Sequence, residues 1–255
     1  MKIATWNINS LRVRLPHVIS WLQQVRPDIL ALQETKITND CFPFDELKVL
    51  GYEVIASGQR TYNGVAILSR LPISQCVVDL PDITDPQRRV LCATIGDLRI
   101  LNLYIPNGEG ITSPKYEYKL KWLRSLDTFL KTELADHPKM VVLGDFNIAP
   151  EEIDVYNPKR WQGKVLFSPP ERESFRRLLD AGFADCFRTL YPEERKFSWW
   201  DYRLQAFPRG WGLRIDHILA SNSLIKQCIK CEIDQAPRAW ERPSDHAPVL
   251  AEFRL

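Results

Sequence analysis

The sequence predicts an α/β protein in which the strands form a mixed or antiparallel sheet system. The first observation is a hairpin signal, because Gly96-Asp97 separates the apolar runs Val90–Ile95 and Leu98–Tyr104. The second is that long stretches with helical spacing, such as Ser113–Leu134, are interspersed with these strand-like runs. A strictly alternating parallel sheet would fit this order less well.

The other elements follow from the spacing and length of the apolar runs. Leu15–Val25 has helical spacing and is followed by a proline, and Glu171–Ala181 is predicted as a helix that the next glycine caps. In Ser113–Leu134 we expect the lysines, including Lys119, to lie mostly beside or opposite an apolar stripe. Short apolar runs predict further strands at Lys2–Trp6, Ile29–Leu32, Gly64–Leu68, Met140–Leu143, Leu213–Ala220 and Val249–Phe253.

The composition is typical of a soluble globular protein, with 45% hydrophobic and 26% charged residues in a chain of 255. No repeat, linker or low-complexity segment divides the chain, so we expect a single domain over residues 1–255. The net charge is only +2, so a nucleic-acid partner would be held by a local basic face and not by the whole molecule. Nothing in the sequence indicates an oligomer, and we expect a monomer.

Targeting and cysteine signals indicate a cytoplasmic protein. The N-terminal residues contain no signal peptide, and no apolar run approaches the about 20 residues of a membrane span, so we expect no membrane partner. The six cysteines are scattered and do not resemble a disulfide framework, which favours a reducing compartment. Cys228 and Cys231 form one C-x-x-C, but one such pair supplies only half of a tetrahedral zinc site.

Short polar motifs lie at the ends of the apolar runs over almost the whole chain. Together they bring Asn, Glu, Asp and His, but no Cys, toward one predicted pocket. Such ligands suit Mg²⁺ or Mn²⁺ and phosphate substrates, so the motifs predict a metal-dependent phosphodiesterase site. The motifs are TWNINSLR (Trp6–Arg12), LQETK (Leu32–Lys36), NGVAILSR (Asn63–Arg70), YIPNGE (Tyr104–Glu109), LGDFNIAP (Leu143–Pro150), GLRIDHIL (Gly212–Leu219) and SDHAP (Ser244–Pro248).

Carboxylates at strand ends are the leading candidates for metal and water chemistry. Glu34 follows an apolar run and is the clearest metal candidate, although an edge carboxylate paired with Lys36 would give the same pattern. Asp145 and Asn147 are two residues apart, so on a strand both would face one water or phosphate. The same Gly-Asp-Phe-Asn segment would also suit a plain turn.

A His–Asp pair is the second candidate feature. Asp216 or Asp245 can fix the tautomer of His246 and favour its charged form next to phosphate. A satisfied core histidine is the alternative for His246. His217 adjoins Asp216 but would face the other side of the strand, so we expect it to take no part.

The hairpin end and two long loops are the candidate phosphate and DNA contacts. Tyr104 and Asn107 end a strand where a phenol and an amide can bind phosphate oxygens, although a simple turn is the alternative. Asn157–Trp161 and Phe197–Trp211 combine cations with aromatic rings, as DNA-contacting loops do. Solvated charge over a small satellite core would give a similar composition.

These motifs, together with FSWWDYR and RPSDHAP, resemble those of the exonuclease III family of apurinic/apyrimidinic endonucleases, within the endonuclease/exonuclease/phosphatase superfamily. The resemblance runs from about residue 2 to 253 and is nearest to the bacterial branch. It implies a four-layer sandwich of two packed β-sheets flanked by helices. It also implies Mg²⁺-dependent hydrolysis, with Mn²⁺ as a substitute, 5′ of abasic sites in double-stranded DNA, together with 3′→5′ exonuclease and 3′-end-cleaning activity.

The resemblance implies a role for each matching residue. Glu34 would bind the metal, with Asn7 and Asp245 also in the metal site. Asp145 would position or deprotonate the attacking water with help from Asn147. Asp216 would orient His246, and His246 would contact the scissile phosphate. Tyr104 would contact the phosphate or assist the leaving group, and the DNA would be bound by Arg12, Lys36 and Asn107. The apolar pocket for a base-free sugar would be formed by Trp199, Leu213 and Ile215. Asn9 stands where some members have Asp, and the loop Tyr156–Pro170 matches only loosely.

Two other functions remain open at this point. A phosphatase or phosphodiesterase for small phosphates or lipid headgroups would use the same metal and Asp–His set, but it gives no reason for the basic aromatic loops. A DNA-binding or scaffold protein without catalysis is the other alternative. The reactive residue type at every candidate catalytic position argues against it.

Overall fold

A computed structural model describes residues 1–255 of the protein. The strands are β1 (Lys2–Asn7), β2 (Ile29–Gln33), β3 (Glu53–Ser57), β4 (Val65–Ser69), β5 (Ile73–Val78), β6 (Val90–Ile95), β7 (Leu98–Tyr104), β8 (Met140–Asp145), β9 (Phe183–Asp185), β10 (Trp199–Trp200), β11 (Gly212–Leu213), β12 (Asp216–Ser221), β13 (Cys228–Ile233) and β14 (Val249–Phe253). The α-helices are α1 (Leu11–Val25), α2 (Phe44–Lys48), α3 (Pro114–Asp136), α4 (Pro158–Trp161), α5 (Pro169–Asp180) and α6 (Cys186–Leu190). Short 3₁₀ helices lie at Asn39–Cys41, Glu152–Asp154, Arg203–Gln205, Ile225–Gln227 and Ala236–Ala239.

Most of the strands form two large mixed sheets. The first sheet has the order β13-β14-β1-β2-β4-β3, and the second has the order β5-β6-β7-β8-β12-β9. Each sheet contains one parallel pair, β1 with β2 and β7 with β8, and its other pairs are antiparallel. Strands β10 and β11 form a separate ribbon. The predicted mixed sheet system is therefore confirmed.

Three apolar cores separate four layers. Side chains such as Ile29 and Ile100 fill the core between the two sheets. Trp122 of α3 and Phe175 of α5 pack on the outer face of the second sheet, whereas Trp21 of α1 packs on the outer face of the first. The central strands are buried on both faces, which explains why they appear in the sequence as continuous apolar runs. The four-layer sandwich that the resemblance implied is confirmed.

The predicted strand Leu213–Ala220 is present in two parts, because the chain changes partners in its middle. The N–H of Arg214 donates to the carbonyl of Asp154, and the carbonyl of Ile215 accepts the N–H of Phe146. The segment therefore ends one ribbon at β11 and enters the second sheet at β12. This break delivers Asp216 to the first position of β12.

Lys119 is the exception among the lysines of α3, since Lys115, Lys121 and Lys131 are exposed as expected. Lys119 has no exposed surface, and it lies three residues after Tyr116 and three before Trp122, which are both buried. It is therefore a member of the inward stripe of α3. Helix α1 differs as well, because it begins at Leu11 and continues past a kink at Arg14.

In the two large sheets, the strands that sequence analysis missed are the four edges, β3, β5, β9 and β13, and it also missed the short β10 of the ribbon. Most residues of β5 are exposed, so this strand lacks the continuous apolar run that marks a central strand. None of the helices combines the length with the apolar content that a membrane crossing needs.

Candidate active site

The predicted site residues converge at one end of both sheets. Tyr104 and Asp145 end the parallel strands β7 and β8 and lie opposite each other in register. Asp216 begins β12 and lies opposite Asp145 on its other side. Asn7 ends β1 in the facing sheet, and its amide reaches across to Asp145. Strand ends on a packed core are rigid positions from which to hold reactive groups.

A glycine allows the closest of these approaches. Gly144 has φ +139°, and a Cβ atom there would lie 2.0 Å from the carbonyl oxygen of Leu103 on the neighbouring strand. Any larger residue would therefore push β8 away from β7 directly before Asp145. The glycine of the LGDFNIAP motif is thus required by the packing that places the aspartate.

Asp145 is a buried carboxylate held by three hydrogen bonds from two asparagines. Its Oδ2 accepts from Nδ2 of Asn7 at 2.9 Å and from Nδ2 of Asn147 at 3.2 Å, and its Oδ1 accepts the N–H of Asn147 at 2.9 Å. Burial raises the pKa of Asp145 to about 7, and this outweighs the opposite effect of the nearby His246. A carboxylate with this pKa is suited to take a proton near neutral pH.

His246 and Asp216 form a buried relay beside Asp145. Nδ1 of His246 lies 2.9 Å from Oδ2 of Asp216, which also accepts a hydrogen bond from Oγ of Ser198 at 2.7 Å. Nε2 of His246 lies 3.8 Å from Oδ2 of Asp145. Burial lowers the pKa of His246, but the carboxylates of Asp216, Asp145 and Asp245 outweigh burial and raise it to about 10. The imidazole is therefore a cation at neutral pH.

Glu34 lies beside Asp145, with a carboxylate oxygen within 4.8 Å of ligand atoms of both Asp145 and His246. Nδ2 of Asn7 bridges the two acids, donating to Oε1 of Glu34 at 2.9 Å and to Asp145. Nζ of Lys36 lies 2.8 Å from Oε2 of Glu34. The ion pair that sequence analysis gave as the alternative for Glu34 is thus present, and it lies within the site.

Asp245 joins the site through a chain of hydrogen bonds. Lys36 donates to Oδ1 of Asn9 at 2.6 Å, and Nδ2 of Asn9 donates to Oδ1 of Asp245 at 2.8 Å. Nε1 of Trp199 donates to Oδ2 of Asp245 at 2.9 Å. Trp199 therefore holds an acid of the site in addition to lining the predicted apolar pocket.

The donor set fits a divalent cation. Glu34, Asp145 and His246 bring potential ligand atoms within 4.8 Å of one another. The high pKa of His246 leaves its ring protonated, so the two carboxylates are the available ligands of this group. Oxygen ligands and an excess of negative charge suit Mg²⁺ or Mn²⁺. The side-chain nitrogen of Asn7 donates to these carboxylates, and its Oδ1 accepts the backbone N–H of Asn9.

Tyr104 and Asn107 flank the acids on the side of the second sheet. Burial raises the pKa of Tyr104, and the charges of Glu34 and Asp145 raise it further, so the phenol stays neutral. Nδ2 of Asn107 donates to Oδ1 of Asn147 at 2.9 Å. Both residues line a groove of about 610 Å³ that also contains Arg89 and Lys115.

The other predicted DNA-binding residues line the surface around the acids. Arg12 and Lys36 share a second groove, of about 620 Å³, with Arg60. The two basic aromatic loops, distant in sequence, meet around a cavity of about 680 Å³ that contains Arg160 and Trp211. Cations and rings therefore surround the site, as the sequence predicted.

The predicted apolar pocket is assembled but closed. Trp199 pairs with Leu213 across the β10–β11 ribbon, and Leu213 and Ile215 belong to one small core with Leu166 and Phe167. Leu213 has no exposed surface and Ile215 is 1% exposed. A sugar would contact these two side chains only after their neighbours move.

Sequence analysis missed three residues that support the site. Ser198 holds Asp216, and Oγ of Ser244 donates to the carbonyl of Asn7 at 2.7 Å. Nζ of Lys119 donates to the carbonyl of Asn147 at 2.7 Å, from the buried face of α3. Ser198 and Ser244 lie inside motifs that were recognised, and Lys119 occupies a position of the apolar stripe, so each signal was present in the sequence. His217 faces away from the site and bonds the carbonyl of Ile148, as expected.

Comparisons with known proteins show the family of the chain. Residues 4–246 match the model of the Endonuclease/Exonuclease/phosphatase family. The chain is 38% identical to Exodeoxyribonuclease III of Haemophilus influenzae over 267 residues, covering all of both chains. It superposes with a TM-score of 0.99 and 48% identity on the 3′ phosphatase NExo from Neisseria bound to product DNA hairpin, again over all of both chains. For an AP endonuclease from Archaeoglobus fulgidus the TM-score is 0.97 and the identity 40%, with both chains covered completely. The family resemblance is confirmed, and the chain belongs to the Endonuclease/Exonuclease/phosphatase family.

Proposed function

We propose that this protein is a DNA repair nuclease that hydrolyses the phosphodiester 5′ of abasic sites in double-stranded DNA with the help of Mg²⁺ or Mn²⁺. The same site would remove nucleotides, phosphates and sugar fragments from 3′ ends. The observation that carries this proposal is the convergence of Asp145, Glu34 and the His246–Asp216 relay at one end of the sandwich. The relatives named above, which are nucleases and a 3′ phosphatase, support the same reaction class.

Asp145 is the proposed base for the attacking water. Its raised pKa gives the carboxylate enough basicity to accept a proton near neutral pH, and its three hydrogen bonds fix its direction. Asn147 contributes two of these bonds, which supports its role as a positioning group. Water held by Asp145 would attack the phosphorus of a phosphate bound beside it.

His246 and Tyr104 are the proposed contacts to the phosphate. Asp216 holds the Nδ1 side of the His246 ring, so the Nε2–H is directed toward the site as part of a cation. Tyr104 remains a neutral phenol and can donate its proton to a phosphate oxygen or stabilise the leaving oxygen. Both groups would stabilise negative charge that increases in the transition state.

Glu34 is the proposed principal ligand of the divalent ion, with Asn7 and Asp245 in the same metal site. A bound divalent ion neutralises charge on the phosphoryl oxygens. Asn7 donates a hydrogen bond to both Glu34 and Asp145, which keeps the two carboxylates close together at the place where the positive ion would bind. Without a cation, their mutual repulsion contributes to the raised pKa of Asp145.

The surroundings favour duplex DNA over a small phosphate. Arg12, Lys36 and Asn107 line grooves on two sides of the acids, and the basic aromatic loops supply further cations and rings. A headgroup phosphatase gives no reason for such extended contacts. Trp199, Leu213 and Ile215 are the proposed walls for a base-free sugar, which would enter as neighbouring side chains shift. We also propose that the protein acts as a one-domain monomer in the cytoplasm, which its unpaired cysteines support.

The test is incision of a labelled duplex that carries one abasic analogue, with Mg²⁺ or with EDTA. Parallel reactions contain an undamaged duplex and a duplex that ends in a 3′-phosphate. We expect metal-dependent cutting directly 5′ of the lesion and release of the 3′-phosphate. Action only at 3′ ends would restrict the role to end cleaning, and no action on any duplex would refute the proposed function.

A further inference from the structure

Lys119 is a buried cation beneath the site, and the reaction proposed above gives it no role. Its side chain and that of Glu171 have no exposed surface, and Nζ of Lys119 lies 2.5 Å from Oε1 of Glu171. An ion pair in this position is weak support for stability, because the cost of removing both charges from water offsets their attraction. The pair therefore calls for another explanation.

The two other contacts of Lys119 supply that explanation. Nζ donates to the carbonyl of Asn147 at 2.7 Å and to the carbonyl of Asn107 at 3.1 Å. These are the two asparagines that meet through their side chains directly beside Asp145. One ammonium thus fixes the backbone of both loops from below, while their side chains face the site.

Asn147 needs this support more than most residues. Its φ is +50°, in the left-handed region that is unfavourable for residues other than glycine, although asparagine tolerates it best. This conformation lets the N–H of Asn147 reach Oδ1 of Asp145 while its carbonyl reaches Lys119. Losing the ammonium would leave a buried carbonyl with one partner fewer and free the turn to relax.

Glu171 extends the same network to a third loop. Its carboxylate accepts the N–H groups of Leu166 and Ser168, each at 3.0 Å, and the hydroxyl of Ser168 at 2.5 Å. Leu166 also has a left-handed backbone, with φ +73°, and packs against Leu213 and Ile215. The Lys119–Glu171 pair therefore joins the Asn107 loop, the Asp145–Asn147 turn and the wall of the apolar pocket.

We infer that Lys119 is a positioning residue, whose buried ammonium, anchored by Glu171, sets the Asp145–Asn147 turn and the Asn107 loop for catalysis. This inference rests on the proposed nuclease function. Displacements of about 1 Å in such a turn can cost about 100-fold in rate even when the substrate still binds. The effect should therefore be on kcat more than on KM.

The test is the double variant Lys119→Met with Glu171→Gln in the full chain, which removes the cation without leaving a lone buried carboxylate. The matched control is Arg99→Met with Glu133→Gln. That pair, at 2.6 Å and with Glu133 14% exposed, also involves a residue of α3, but it joins the helix to β7, and Arg99 lies at the end of β7 away from Tyr104. The kcat and KM on a duplex with a 3′-phosphate and the thermal midpoint are measured for both double variants and the wild type.

We expect the Lys119 double variant to lose at least about tenfold in kcat with KM within about twofold. The control should keep its kcat within about twofold even if its thermal midpoint falls. An unchanged kcat in the Lys119 double variant, or an equal loss in the control, would overturn the inference while leaving the proposed function intact. A wild type that is inactive on every DNA substrate would overturn the proposed function itself.

If the double variant does not fold, Glu171→Asp alone is measured, because it keeps a negative charge for Lys119 and leaves no lone buried ammonium. It keeps Lys119 and both carbonyl contacts but weakens their anchor, so a kcat loss of about threefold is expected. A kcat equal to that of the wild type would overturn the inference in this case too.

Discussion

Strand β12 has a charged cluster on each of its two sides, and the two clusters are built differently. The site cluster has more acids than cations, whereas the second cluster, called the Arg214 cluster, is balanced. The site cluster contains the acids Glu34, Asp145, Asp216 and Asp245 and the cations Lys36 and His246. The Arg214 cluster contains Arg214, Arg188, Asp154, Asp185 and the ring of His217.

The Arg214 cluster shows how the fold neutralises buried charge. The guanidinium of Arg214 lies 2.7 Å from Asp154 and 2.7 Å from Asp185. Burial raises the pKa of both aspartates, but Arg214 outweighs burial and holds both pKa values below their ordinary range. His217 completes the cluster, because its Nδ1 lies 3.0 Å from a guanidinium nitrogen of Arg214 and its Nε2 lies 2.9 Å from the carbonyl oxygen of Ile148.

The site cluster lacks this balance, and its acid responds in the opposite direction. Burial raises the pKa of Asp145 to about 7, so this carboxylate is held ready for a proton or a cation. Neighbouring residues of one strand therefore face both environments, since Asp216 belongs to the site and His217 to the Arg214 cluster. The difference teaches that burial alone does not mark a functional acid. A functional acid is marked by a buried cluster in which carboxylates outnumber cations.

The largest expected effect is that of Asp145→Asn on the rate. Removing the proposed base should lower kcat on the abasic duplex by about 10³-fold while DNA affinity in EDTA stays within about threefold. Because burial raises the pKa of Asp145, its charge opposes folding above neutral pH. The thermal midpoint of the variant at pH 8 should therefore equal or exceed that of the wild type. Incision at the wild-type rate would remove Asp145 from the role of base.

The second effect is on stability and comes from the other cluster. Asp185→Asn removes one of the carboxylates that pair with the buried Arg214. We therefore expect the free energy of unfolding to fall by about 3 kcal/mol. The kcat of the folded fraction should change by less than about threefold. Urea unfolding and steady-state kinetics check both values. A kcat loss as large as that of Asp145→Asn would mean that the two clusters are not separate.

The stability of the wild type and of Asp185→Asn at acid pH gives a second test of the Arg214 cluster. Arg214 lowers the pKa of Asp185 on folding, so the stabilisation is complete above the ordinary carboxyl pKa of about 4 and is lost as the pH falls below it. The stability difference between the wild type and Asp185→Asn should therefore shrink toward zero in acid.

The sequence predicted the central strands and the site residues much better than the edge strands and the Arg214 cluster. All central strands of both sheets were predicted, because they are buried on both faces and form continuous apolar runs. The four edge strands were missed, since exposed positions interrupt their pattern. The site residues were predicted as a group because their motifs lie at strand ends, and these strand ends meet at one end of both sheets.

The Arg214 cluster was not predicted at all. Arg214 lies inside the GLRIDHIL motif, but its partners Asp154 and Asp185 are supplied by a 3₁₀ helix and an edge strand that carry no strong local signal. The break between Leu213 and Asp216 was missed for the same reason. It depends on hydrogen bonds to Asp154, Phe146 and Ser198, which are distant in sequence.

The third effect concerns the response to a divalent ion. Only the cluster with surplus acid should gain stability from Mg²⁺, by about 2.7 kcal/mol at a concentration of 100 times Kd. The thermal midpoint of the wild type and of Asp185→Asn should rise with Mg²⁺, and that of Glu34→Gln should rise much less. Equal rises in all three proteins would contradict the assignment of Glu34 as the principal ligand.

The fourth effect is on the pH profile of kcat. The rate should fall as Asp145 takes up a proton below its pKa of about 7, and bound Mg²⁺, which favours the charged carboxylate, should move this limb to lower pH. The rate should also fall as His246 loses its proton near pH 10. His246→Gln should lower kcat and lack the alkaline limb. An unchanged rate and profile in this variant would exclude the relay.

The smallest expected effect is that of Ser198→Ala, a residue that acts only through Asp216. Oγ of Ser198 donates to Asp216 and accepts the N–H groups of Ile215 and Asp216, so it holds the first residue of β12 in place. Losing one hydrogen bond to a charged group costs about 1.5 kcal/mol, and a relaxed Asp216 would orient His246 less well, so we expect about a fivefold loss in kcat. Ser221→Ala is the control, because Ser221 is equally buried at the other end of β12 and donates to the carbonyl of Pro138. The control should lose stability but not kcat, since only one end of β12 faces the site. A similar kcat loss in both variants would mean that β12 acts on the site as a whole strand and not through Asp216.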